Sequence, residues 1–166
     1  LPDELLSSWL ARMSHDHGLQ VYEFGKMCWP GLGLFERDID RNITDESIDR
    51  LSIKTNCSFE EVRSASLRYF EHKLYDPLLK RKYGRTKWIL PIGRESFKHK
   101  KKGLMFCPNC LRRDKKNPYY RKRWRLALSI VCPDCECYLY DCCPRCGSPV
   151  CFFRNSIGIK NHETFK

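Results

Sequence analysis

The chain has 166 residues, 11 of them Cys, and 31 Lys/Arg against 20 Asp/Glu give it a formal net charge of +11. That length suits one ordinary domain or two small ones. No apolar run is long enough to cross a bilayer, which excludes a helical membrane span.

Residues 1–75 carry 9 Lys/Arg against 13 Asp/Glu, net −4, and could bury a modest helical core. Pro2-Asp3-Glu4 opens an amphipathic helix in which Leu5, Leu6, Trp9, Leu10 and Met13 recur at helical spacing, with Gly18 as its stop. A second short helix is predicted from about Gln20 to Cys28, ended by Trp29-Pro30-Gly31. Acidic, turn-prone residues follow through Asn42.

Residues 45–71 predict a helix-turn-helix. Ile48, Leu51 and Thr55 form a short apolar stripe, and Thr55-Asn56-Cys57 reads as a turn with Asn56 left-handed. Ser58-Phe59-Glu60-Glu61 has the pattern of a capping box, and Val62, Ala65, Tyr69 and Phe70 carry the second helix onward. Such a pair can read DNA, and here it would offer Arg63 and Arg68. The same outline also occurs as a plain helical hairpin, and Glu60, Glu61 and Glu71 share the second helix.

From 76 to 104 the composition shifts to a basic connector with one apolar island, Trp88-Ile89-Leu90-Pro91. Residues 76–93 carry 5 cations against 1 anion, net +4, and residues 94–125 carry 13 against 2, net +11. A field of that size favours polyanions by counterion release, unless the run is simply a solvated face. Lys100, Lys101, Lys102, Arg112, Arg113, Arg121, Arg123 and Arg125 are the candidates for phosphate contact.

Leu104-Met105-Phe106 is expected to enter the last region, 105–166, as a strand. There Cys107-Pro-Asn-Cys110 and Cys132-Pro-Asp-Cys135 supply four thiolates at C-x2-C-x21-C-x2-C spacing, as a closed structural zinc site requires. Each Pro narrows the backbone so that both sulfurs of a knuckle face one point. A third knuckle, Cys143-Pro-Arg-Cys146, is half of a second zinc site, completed by Cys151 and His162 or by ligands beyond Lys166. Cys28, Cys57, Cys137 and Cys142 read as small buried thiols. Between the first two knuckles, 118–130 reads as a helix or extended segment whose aromatics pack beneath the site while its cations face out. A disulfide scaffold is the competing account of the cysteines, but their odd number and knuckle spacing favour metal. The fold class expected is mainly α with small zinc-ribbon-like β elements.

Enzyme signatures are absent from the sequence. There is no His-x-Glu to pair with a Cys knuckle as in zinc deaminases, no His-Glu-x-x-His and no Gly-rich phosphate loop.

The order of these features resembles the TniQ/TnsD family of transposition target-selection proteins. The resemblance rests on Glu4-Leu5, Ser8-Trp9-Leu10, Arg12 and Gly18-Leu19, then on Phe106-Cys107-Pro108-Asn109-Cys110-Leu111, Asp114, Pro118-Tyr119-Tyr120-Arg121 and Trp124-Arg125-Leu126. It continues through Cys132-Pro133, Cys135, Leu139 and Cys143-Pro144 to Cys146-Gly147. One departure is Cys135, where the family often has His. The resemblance implies a non-catalytic adaptor in the bacterial cytoplasm, associated with the nucleoid when on DNA. It would recognise an attachment sequence or dock on a CRISPR effector, and recruit the AAA+ ATPase regulator of the transposase. A zinc-containing helix-turn-helix transcription regulator is the alternative, predicting a homodimer on a palindromic operator.

Overall fold

The computed structural model describes residues 1–35, 38–76, 88–92 and 103–150. Helix α1 spans Leu6–Asp16 and buries Leu6, Leu10 and Ala11, with Leu5 just before it. It stops where predicted, at Gly18, whose φ of +68° is a left-handed conformation that Gly adopts without strain. Helix α2, Val21–Cys28, packs Val21 and Phe24 inward. Trp29 follows it, buried, with its Nε1–H donating to the carbonyl of Arg50 at 3.1 Å. A short helix α3, Ile39–Asn42, falls in the stretch expected to be turn.

Helices α4 (Asp45–Thr55) and α5 (Phe59–Ala65) form the predicted hairpin. Asn56 is left-handed, with φ +54°. The Ser58 hydroxyl accepts from the amide of Glu61, and the Glu61 carboxylate accepts from the amide of Ser58, so the capping box is complete. The second helix is shorter than its sequence suggests. Ser66 takes an extended conformation and caps a separate 3-10 turn, Leu67–Phe70, by accepting from the amide of Arg68. Tyr69 and Phe70 therefore lie beyond the helix, on that turn.

Helix α6, Pro108–Arg113, grows out of the first cysteine knuckle. Strands β1 (Val131–Cys132) and β2 (Cys137–Tyr138) make one antiparallel pair, with Val131 opposite Tyr138 and Cys132 opposite Cys137. Leu104–Phe106 is extended but forms only an isolated bridge, Phe106 to Tyr140. The architecture is mainly helical with this small sheet. The segment 118–130 is extended around a 3-10 turn, Lys122–Arg125, and the apolar island lies antiparallel to it through Leu90 N–H to the Arg125 carbonyl and Ala127 N–H to the Trp88 carbonyl, both 2.8 Å. Gly103 is required beside the island, because a Cβ there would fall 1.8 Å from the Pro91 carbonyl oxygen.

The buried core is continuous across the sequence divisions at 75 and 105, running from Leu5 and Leu10 through Ile48 and Leu67 to Trp124 and Cys107. Segment 118–126 is clamped onto the start of α1 and the residues just before it by three backbone and side-chain bonds. These are Leu5 N–H to the Tyr120 carbonyl (2.8 Å), Lys122 N–H to the Asp3 carbonyl (2.8 Å) and Tyr120 N–H to Ser8 Oγ (2.9 Å). At the centre lies Arg125, 0% exposed, which donates to Asp38 (2.5 and 3.1 Å), Asp40 (3.1 Å) and the Leu90 carbonyl (2.9 and 3.2 Å).

Burial pushes the Asp40 carboxyl up to about 6, reinforced by Asp38 and opposed by Arg125 and Ser7. A raised folded-state value means that Asp40 contributes most below its ordinary value near 3.8 and loses that contribution as pH rises through about 6. Two outcomes follow, both read by urea unfolding. Arg125→Met leaves two buried carboxylates without their cation and is expected to cost about 3–5 kcal/mol. The native chain is expected to lose stability between pH 4 and 6, and Asp40→Asn to remove that downward slope.

Candidate metal centre and basic surface

The first knuckle is built as a helix start. Cys107 is the N-cap of α6, Pro108 takes the position where a missing N–H costs nothing, and the Cys107 sulfur accepts from the amide of Cys110 at 3.3 Å. The second knuckle precedes a reversal. Both Cys135 N–H (3.4 Å) and Glu136 N–H (2.8 Å) donate to the Cys132 carbonyl, and Glu136 is left-handed with φ +50°. The strand pair then returns Cys137 beside Cys132.

The sulfurs of Cys107, Cys110, Cys132 and Cys135 all lie within 4.8 Å of one another. Cys110 is 3.5 Å from both Cys132 and Cys135. Four thiolates around a tetrahedral zinc at ~2.3 Å would stand about 3.8 Å apart, so the cluster fits such an ion and could hold one. Cys107, Cys110 and Cys132 are buried, and Cys135 is half-buried. Burial raises the Cys107 thiol, but the Cys110 amide and the neighbouring thiols outweigh it and bring Cys107 down to about 7. Burial and thiol hydrogen bonds push Cys110 up instead. Every one of these thiols must lose its proton on binding a cation. The Arg113 guanidinium, 3.6 Å from the Cys110 sulfur, adds positive charge.

The third knuckle keeps its turn, with Gly147 N–H donating to the Cys143 carbonyl at 2.8 Å. Cys143 is half-buried and Cys146 exposed, while Cys151 and His162 lie outside the described residues. Among the described residues the first cluster is the sole group with metal-ligand geometry.

The cations divide sharply. Arg112 and Arg113 stand exposed at the end of α6, with Arg112 also donating to Asn109 (3.0 Å). Lys100, Lys101 and Lys102 lie outside the described residues. The expectation that the cations of 118–130 face out fails for Arg121, Lys122 and Arg125. Arg121 is buried, forks onto Asp114 (3.1 Å to each oxygen), and stacks over Tyr119 and Trp124. Arg125 is the buried hub already described, and Lys122 is buried with Nζ on the Ser64 carbonyl. Arg123 is partly exposed but paired with Asp134 and Asp3. In the hairpin, Arg68 is buried between Asp45 and Glu71, and Arg63 reaches Glu71 at 3.1 Å. Phosphate would have to displace those carboxylates. The sequence hid this most fully for Arg125, whose partners Asp38 and Asp40 lie more than 80 residues away in a stretch that reads as a polar turn. It also hid Cys137, whose place beside the cluster depends on strand register.

A protein-family model described as TniQ matches residues 1–139. The chain belongs to the TniQ family. No curated protein matches it. The TniQ match takes in the helical part and both knuckles of the four-cysteine cluster, and ends before Cys143. Membership places this protein among transposition-associated adaptors. None of the described helices is long and apolar enough to cross a membrane.

Elemental analysis of protein purified under reductant is expected to find one divalent ion in this cluster, lost in Cys107→Ser. On chelation, amide exchange should rise first over 107–113 and 131–138, then over 118–126 and α1, and last in α2 and α4. Simultaneous loss everywhere would contradict a local brace.

Proposed function

We propose that this TniQ protein is a non-catalytic targeting adaptor. It marks the insertion site, by attachment sequence or through a CRISPR effector, and recruits the AAA+ ATPase regulator. The family match across both the helical part and the cysteine cluster carries the reading. Zinc is the ion proposed for Cys107, Cys110, Cys132 and Cys135. With four protein thiolates it has no open position for water or substrate, so its role there is to brace the fold.

Arg112 and Arg113, with Lys100, Lys101 and Lys102, are the proposed phosphate contacts. Arg121, Arg125 and Arg68 are better explained as internal ion pairs, since each is already desolvated against a carboxylate. The acidic N-terminal part is the proposed surface for the protein partner. The transcription-regulator alternative loses support from the same geometry, because α5 opens with Glu60 and Glu61 and its cations are engaged. A helix N-terminus carrying two carboxylates repels the phosphate that such a helix must approach.

The deciding experiment mixes the protein, target DNA and the AAA+ ATPase and isolates whatever stays on the DNA. A ternary complex that needs this protein is expected, and ATPase recruitment indifferent to its presence would sink the reading. Arg112→Ala with Arg113→Ala should weaken DNA binding about equally on all sequences. The slope of log affinity against log salt should flatten by about 2, at ~0.9 per phosphate contact.

A further inference from the structure

A fifth thiol, Cys137, stands beside the four-cysteine cluster. Cys137 pairs directly with Cys132 across β1 and β2, and residues directly opposite in such a pair share a face. Its sulfur lies 3.6 Å from that of Cys107, matching the 3.5 Å separations within the four-cysteine group. The side-chain amide of Asn109, from the first knuckle, donates to it at 3.7 Å and holds it toward the centre. Cys135 and Cys137 flank the left-handed Glu136 at the turn into β2. Three thiols are buried and fixed by the knuckles, while Cys135 and Cys137 are both half-buried at the rim.

We infer that Cys137 is an alternative fourth ligand, able to take the place of Cys135 on the ion held by Cys107, Cys110 and Cys132. This rests on the metal-centre reading above. Exchange needs no redox step: one thiolate leaves the ion as the other, having released its proton to solvent, enters, and the departing sulfur is reprotonated. The centre would then tolerate loss or modification of either rim thiol without releasing its ion. The β1–β2 hairpin could shift against α6 while staying attached to it.

Cobalt(II) is the probe, because thiolate-to-cobalt charge transfer reports both the number of sulfur ligands and tetrahedral geometry. It is titrated into the full chain and into Cys135→Ala, Cys137→Ala and the double variant. The native chain and both single variants are expected to give the four-thiolate spectrum, and the double variant to lose it. A Cys135→Ala chain as empty as the double variant overturns the inference while leaving the metal centre intact. A native chain that takes up no cobalt overturns both. Should Cys135→Ala fail to fold, N-ethylmaleimide labelling of the zinc-loaded native chain decides by peptide mapping. Adducts divided between Cys135 and Cys137 support exchange, and adducts confined to Cys137 overturn it.

Discussion

The buried guanidinium of Arg125 is the constraint on which the arrangement depends. It stands between the two oxygens of Asp38, the Asp40 carboxylate and the Leu90 carbonyl, with no exposure to solvent. Asp40 in turn accepts from the Ser7 amide at 2.8 Å and the Ser7 hydroxyl at 2.7 Å. Ser7 lies in the first turn of α1, where the backbone amides lack partners within the helix. One cation thus ties together the start of α1, the short helix α3, the apolar island and the segment between the knuckles. Paired buried charges often add little net stability over apolar residues of similar volume. Their value here is registry, since an unpaired alternative leaves at least one charge desolvated.

This hub adds a polar link to the buried core that the cysteine cluster and the helical part share. Segment 118–126 leaves the first knuckle, crosses α1 with backbone bonds at Tyr120 and Lys122, delivers Arg125, and returns toward the second knuckle. An ion joining α6 to the hairpin would close that loop at its base. A Cys-rich section of this size has little apolar surface of its own to bury, so α1 and the metal brace are complementary supports.

Much of this was legible in the sequence wherever the signal was local. The helix stops at Gly18 and Asn56, the capping box at Ser58 and the first two knuckles depend only on residues a few positions apart. What stayed hidden depends mostly on partners beyond the local window, and in one case on a local hydroxyl that competes with the helix. Helix α1 has no side-chain cap of its own, and its cap is Asp40, supplied by a stretch that reads as polar turn. Arg121 and Arg125 alternate with aromatics as a nucleic-acid surface would, yet Asp114, Asp38 and Asp40 turn them inward. Ser66 looks like one more residue of α5, but its hydroxyl bonds to the Arg63 carbonyl and the Arg68 amide and splits the helix from a 3-10 turn.

The same inward turn changes what the net charge of +11 means. Residues 94–125 hold 13 cations against 2 anions, but Arg121, Lys122 and Arg125 are buried and Arg123 is shared by two carboxylates. The exposed cations that remain there among the described residues, Arg112, Arg113, Lys115 and Lys116, cluster on α6 and the turn just after it. One of them, Arg113, lies 3.6 Å from the Cys110 sulfur of the thiol cluster, where four thiolates around one divalent ion would carry a net charge of about −2. The cluster can therefore offset part of the positive charge on α6. With its thiolates formed it anchors Arg113 through Cys110 and leaves Arg112 the freer of the pair. Counting cations in the sequence overstates the positive field that this face can present to a polyanion.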